Sequence, residues 1–219
     1  MGIRHWTWRR RAFAALAAIL AVLVAYAAVP RRADLTAFDP SASARLETAM
    51  WRHYYEKQFV ALFLDLYRLA RAEQGFSPLD SARIAIAAAR AAKAFQPTAS
   101  RREAEAAIPL LVDYFRILAR AAPVPLDTEL AARTELDWWQ ARREAVAPQT
   151  YGLTIARVAT LLYGVDCEDM RAYGIARAQA MAYRDARSAG MTESDWAAIA
   201  TQLRASYRSL KRALSAPAR

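Results

Sequence analysis

Two stretches of the chain carry one pattern 88 residues apart: Ala44 to Glu56 reads ARLETAMWRHYYE and Ala132 to Glu144 reads ARTELDWWQARRE. The match runs upstream without a gap. FDPSASARLETAMWRHYYE (38–56) lies over LDTELAARTELDWWQARRE (126–144), so that Asp39 faces Asp127, Arg45 faces Arg133, Glu47 faces Glu135, Trp51 faces Trp139 and Glu56 faces Glu144. A chain that repeats a motif at this distance is constrained to fold as two similar halves.

Helix-start signals repeat as well. Asp39-Pro40 and Asp127-Thr128 each place an N-capping side chain before a long helical run. Ser77-Pro78-Leu79-Asp80 and Asp166-Cys167-Glu168-Asp169 set a cap three residues before an acid, and Gly75 and Gly164 precede them, where a helix end needs a residue that accepts positive φ. Ser100 to Glu103 is a capping box, matched by Thr192 to Asp195 with Asp in place of Glu. Finally LVDYFRILARA (111–121) resembles LRASYRSLKRA (203–213). Each half therefore reads as three helices: 40–74, 78–95 and 101–121, then 128–163, 167–188 and 193–214, with Pro148 and Gly152 breaking the fourth. A period near 90 is too long for the common solenoids. The expected fold is all-α: an N-terminal transmembrane helix plus a six- to seven-helix bundle formed by internal duplication of a three-helix unit. Repeat 1 spans 39–122 and repeat 2 spans 123–214, together one pseudo-twofold domain, with a frayed tail at 215–219. Composition agrees, being 56% hydrophobic with only six Gly among 219 residues, as good helix formers in place of breakers require.

Residues 12–29, AFAALAAILAVLVAYAAV, are uncharged and long enough to cross a bilayer as a helix. Four Arg and two Trp precede them in residues 1–11, whereas Asp34 offsets part of the Arg31-Arg32 pair that follows. The positive-inside rule then places the N-region in the cytoplasm, the anchor in the inner membrane, a linker at 30–38, and residues 31–219 outside the cytoplasm, in the envelope. A cleaved signal is the competing reading: Ala25-Tyr26-Ala27 fits a cleavage site, and Arg10-Arg11-Ala12-Phe13 resembles a twin-arginine core with Arg9 at the usual Ser/Thr position.

The net charge of +10 invites a nucleic-acid reading, but four basic residues belong to the N-region and the remaining 27 are interspersed with 21 acids. A nucleic-acid binder gathers basic charge on one face, so no nucleic-acid partner is expected. Cys167 is the sole cysteine, which excludes an intrachain disulfide, and its neighbours Asp166 and Glu168 disfavour a reactive thiolate.

Helical periodicity puts Glu47 on one face with Met50, Trp51, Tyr54 and Tyr55, and Glu135 with Trp138, Trp139, Arg142 and Arg143. A carboxylate on such an aromatic stripe needs a partner. If the two motif helices pack antiparallel, Trp51 meets Trp139, Glu47 approaches Arg142 or Arg143, and Glu135 approaches the hydroxyl of Tyr54 or Tyr55. The motif is then the seam between the halves. The alternative is a polar site at that seam, formed by Glu47, Trp51, Tyr54, Tyr55, Glu135, Trp139, Arg142 and Arg143. Neither reading calls for a metal or cofactor. Di-iron sites use Glu-x-x-His pairs, and His53, alone beyond the N-region, has no acid three residues before it. No nucleophile triad or phosphate-loop spacing occurs, so no catalytic residue is assigned.

Two basic stripes remain, Arg204, Arg208 and Arg212, and Arg83, Arg90 and Lys93, each a solvated face or a contact with anionic headgroups. The leading expectation is a membrane-anchored interaction or scaffold module with an envelope protein as partner. The alternative is a small-molecule binder or enzyme with its site at the repeat interface, and the third is an anionic-lipid binder. A scaffold calls for a dry, filled seam, whereas a binder calls for a pocket of about 300 Å³ or more lined by the repeated residues.

Overall fold

The structure, a computed structural model, describes the backbone of residues 3–28 and 33–215. Among these residues all regular structure is helical. Helix α1 (Ile3–Ala28) contains the 21-residue stretch Trp8–Ala28, with mean hydropathy 2.1 and none of it buried. It is long and apolar enough to cross a bilayer, a property it would share with a signal sequence. Val29, the last residue of the expected span, lies outside the described residues, as do residues 30–32 of the expected linker and most of the tail.

The rest of that linker is not a loose connection. Leu35 is fully buried and Phe38 nearly so. The backbone here is tied down on three sides: Asp34 N–H donates to Gln74 O (3.0 Å), Tyr163 Oη to Leu35 O (3.3 Å), and Lys211 Nζ to Thr36 O (2.7 Å). A segment with two large apolar residues in six has surface to bury, and the core takes it.

The expected single helix over 40–74 is divided. Helix α2 (Pro40–Tyr55) is capped by Asp39, which accepts from Ala42 N–H at 2.7 Å. It stops at a left-handed Lys57 (φ 59°), and α3 (Phe59–Arg68) follows, running into a π-helical turn at Leu69–Glu73. The turn closes as a Schellman motif, with Lys57 N–H on Tyr54 O (3.2 Å) and Gln58 N–H on His53 O (2.8 Å). It recurs after α7 (Thr128–Arg143): Ala145 has φ 56°, its N–H meets Arg142 O (3.1 Å), and Val146 N–H meets Ala141 O (2.9 Å). Helix α8 (Pro148–Tyr163) then starts at Pro148 and runs straight through Gly152, which was expected to help break it. A Cβ on Gly152 would sit 2.7 Å from Ile175 Cα, so this glycine serves close packing between helices.

Helix α4 (Pro78–Phe95) is capped by Ser77. A short α5 (Arg101–Ala104), capped by Ser100, leads through a 3-10 turn into α6 (Ile108–Leu118), three residues short of the expected end. Helices α9 (Glu168–Ala186) and α10 (Glu193–Ser215) complete the chain, the latter with a Thr192–Asp195 capping box whose two bonds measure 3.3 and 2.9 Å. The body helices from α2 onward pack in chain order, with α4 reaching α6, and α10 returns to α2. They form a closed ring in which α6 hands over to α7, and α10 to α2. Helix α1 meets the ring at α4.

Candidate functional site

The motif helices α2 and α7 stand apart in the ring, because α2 is taken up by α3 and α10, and α7 by α6 and α8. Between them lies a cavity of about 680 Å³. Its walls come from α2 (Met50, Trp51, Tyr54, Tyr55), α3 (Phe59, Leu62, Leu66), α4 (Ala88, Ala89, Ala92, Lys93, Phe95), α7 (Glu135, Trp138, Trp139, Arg142) and α9 (Arg177, Met181), with Gln96 just beyond α4. Phe59, Ala89, Lys93 and Gln96 are exposed and form the rim. Most of the lining is aromatic or aliphatic.

Six of the eight residues singled out in the sequence line this space: Trp51, Tyr54, Tyr55, Glu135, Trp139 and Arg142. The expected pairings among them do not form. Trp51 and Trp139 do not stack; Trp139 instead packs edge-on against Phe95 and Trp138, at 5.2 and 6.1 Å between centroids. Glu47, 1% exposed, meets neither Arg142 nor Arg143. Its Oε1 accepts from Arg177 Nε (2.8 Å) and Nη2 (2.6 Å), a residue on α9. Arg142 is held by Asp185, at 2.9 and 2.7 Å, and donates to Tyr55 Oη at 2.6 Å. Arg143 turns away from the cavity to Thr98 and Gln140 and lies over the Phe95 ring at 4.5 Å. Glu135 meets no tyrosine hydroxyl, since its Oε1 accepts from Trp139 Nε1 one turn along its own helix (3.0 Å). Tyr54 Oη accepts from Gln96. The common reason is the ring: with α2 and α7 apart, Arg142 reaches across to Tyr55, while Glu47, Glu135, Tyr54 and Arg143 find partners outside the opposite motif helix.

Sequence reasoning missed Arg177, Ala88, Ala92 and Met181. They lie on α4 and α9, outside the motif helices. Ten of the nineteen lining residues fall into pairs at the motif spacing or one residue more: Met50 with Trp138, Trp51 with Trp139 and Tyr54 with Arg142 are 88 apart, and Ala88 with Arg177 and Ala92 with Met181 are 89 apart. The second spacing is that of Gly75 and Gly164, both left-handed, at φ 71° and 74°.

The electrostatics are lopsided. Burial pulls the Arg177 guanidinium down, but Glu47 and the neighbouring Tyr173 and Tyr207 outweigh it, so its pKa is raised and it stays cationic. Burial raises the Glu135 carboxyl above its ordinary value, against the opposing pull of the Trp138 and Trp139 indoles and of Arg177. Behind the wall, burial pushes Tyr173 up to about 12 and drives Tyr114 and Tyr207 up as well. Glu47 Oε2 and Trp138 Nε1 are buried without a hydrogen-bond partner.

Outside the cavity, His53 Nδ1 lies 2.6 Å from Oδ2 of buried Asp65, joining α2 to α3 across the break. In the C-terminal basic stripe, Arg212 is bound to Asp169 (2.7 Å), Arg204 has its Nε buried, and Arg208 is exposed. In the α4 stripe, Arg83 reaches Asp80 (3.4 Å), Arg90 is exposed, and Lys93 stands on the cavity rim. Among the described residues no three His, Cys, Asp or Glu side chains gather as a metal centre. The chain matches no protein-family model, no curated protein and no solved structure.

Proposed function

We propose that this protein is a membrane-tethered binding domain for a small, largely apolar molecule. The observation that carries the reading is the cavity. At about 680 Å³ it falls in the range of small-molecule sites. A domain built only to dock its two motif helices would have filled that seam with their tryptophans. The paired spacing of the lining supports a second element of the reading, that the domain arose by duplication of a three-helix unit and that the cavity lies on its pseudo-twofold axis.

The tether is α1, taken as an uncleaved span with the N-terminus in the cytoplasm and the ring domain outside. The basic residues ahead of the span support that orientation. It is checked by placing a single cysteine at exposed Ser188 in a Cys167→Ser background. A membrane-impermeant maleimide should label it in cells with a permeabilised outer membrane and an intact inner one. Protection until the inner membrane is opened reverses the orientation, and a purified chain lacking residues 1–27 shows cleavage.

Binding is tested by titrating 1-naphthylmethanol calorimetrically into the full chain in lipid nanodiscs, with empty nanodiscs as reference. The expected outcome is saturable binding that Ala92→Phe abolishes by filling the cavity. Binding that this substitution leaves intact places the probe elsewhere and overturns the reading.

One observation favours a second reading, an interaction module for another envelope protein. Helix α3 leaves Phe59, Val60 and Leu64 exposed, at 63, 77 and 42%. Val60 and Leu64, spaced i, i+4, share one face, and Phe59 stands beside it on the side of the cavity-lining Leu62 and Leu66. A partner seated on Val60 and Leu64 would lie next to Phe59 on the cavity rim.

A further inference from the structure

Two glutamates occupy equivalent places in the two motifs, and the structure provides one guanidinium between them. Glu47 has it: both Arg177 Nε and Nη2 point to its Oε1. The residue that stands to Glu135 as Arg177 stands to Glu47 is found by the same spacing. Arg177 is 89 residues after Ala88, and Ala88 is on α4, the second helix of the first half. Where one half has a guanidinium against the motif carboxyl, the other has a methyl group, and the cavity lies there, bounded by both Ala88 and Glu135.

On this ground we infer that the ligand carries a cationic group, an amine, guanidine or quaternary ammonium joined to an apolar body, and that Glu135 receives it. The inference rests on the binding-domain reading and names the class of ligand. The other charges near the cavity do not oppose it. Arg142 is neutralised by Asp185 and Arg177 by Glu47. Lys93 stands on the exposed rim, where water screens it. The cavity that Glu135 lines is also lined by Trp51, Trp138, Trp139, Tyr55 and Phe95, aromatic rings of the kind that attract a cation. The ring system already holds cations this way: Arg177 lies over Trp138 at 5.6 Å and Arg184 over Tyr55 at 3.2 Å. Burial raises the Glu135 carboxyl's affinity for a proton, and the pull of Arg177 and the two indoles does not offset it.

The test compares three probes of one size on the full chain in nanodiscs: 1-naphthylmethylammonium, 1-naphthylmethanol and 1-naphthoate. The ammonium should bind about tenfold or more tightly than the alcohol, as a charge-assisted contact with aromatic support allows. Glu135→Gln should bring the ratio of the two affinities close to one. Ala88→Arg, which supplies the guanidinium from the protein itself, should raise the unfolding temperature and abolish the preference for the ammonium. If the alcohol binds as well as the ammonium, the cationic inference fails and the binding domain stands. If 1-naphthoate binds best, the inference is overturned. If none of the three binds, both fall. A folded Ala88→Arg protein that still prefers the ammonium also overturns it.

Discussion

Glu47 and Glu135 begin from the same place in the same motif and end in opposite circumstances. The carboxylate of Glu47 is buried against a guanidinium, and removing one member of a buried pair leaves the other uncompensated. Glu47→Gln should therefore lower the unfolding free energy by about 3–5 kcal/mol in urea titrations. Glu135 lacks that partner, and burial raises its pKa above the ordinary 4.5. The folded state then holds a proton more readily than the unfolded state, so wild-type stability falls as pH rises from about 4.5 through the folded value, and the loss is complete above it. Glu135→Gln removes this dependence. At neutral pH the variant should be at least as stable as wild type, and its advantage should shrink as pH is lowered toward 4.5. Thermal unfolding of both proteins across pH 4–8 checks the sign. A wild type that gains on the variant as pH rises would show that the carboxylate is fully paired.

At the scale of elements, the two helix breaks rest on residues that are poor at making them. Lys57 and Ala145 hold left-handed backbone that costs a residue with a Cβ about 1–2 kcal/mol. Lys57→Gly and Ala145→Gly should each stabilise the domain by about 0.5–1 kcal/mol, once the greater freedom of glycine in the unfolded chain is set against the relief. Gly152 and Gly174 carry the opposite expectation. They bring α8 and α9 into backbone contact, and Gly152→Ala should destabilise by about 1–3 kcal/mol through overpacking, measured by the same titration. These positions also explain how much of the fold was legible. Helix starts could be read because a cap is a local signal: Asp39, Ser77, Ser100, Asp127 and Thr192 accept the bonds their spacing implied, whereas Asp166 does not, its Oδ1 being taken by Arg171 (2.7 Å) and the start of α9 falling at Cys167 without a side-chain cap. The break at Lys57 could not, because neither Gly nor Pro marks it. Gly152 was misread because a glycine that breaks a helix and one that lets a second helix approach look alike until the second helix is in place.

For the whole molecule, the ring decides what the motif does. Periodicity could say which side chains share a face of α2, but not which helix that face would meet. The partner of Glu47 lies 130 residues away on α9. The aromatic seam was legible as a set of residues and illegible as a set of contacts, since α2 and α7 bound a space and are joined across it by the Arg142–Tyr55 hydrogen bond, not by stacked tryptophans. The space has a mechanical counterpart. Ala92→Phe, which fills it, should raise the unfolding free energy by about 0.5–2 kcal/mol while removing ligand binding, the pattern of a site kept open at the expense of stability. Destabilisation without loss of binding would count against the cavity as the site.

The buried segment after α1 has a consequence at this scale too. Five residues separate Ala28, the end of α1, from Asp34, whose backbone is fixed to Gln74. Stretched to the full, that leash reaches roughly 20 Å. If α1 spans a bilayer, the ring cannot wander into open solvent. Asp34, where the ring is fixed, stays within roughly 20 Å of the surface, so the domain is held near the molecules the bilayer gathers. An amphiphile too scarce in bulk water to be captured there would be concentrated where the domain is held.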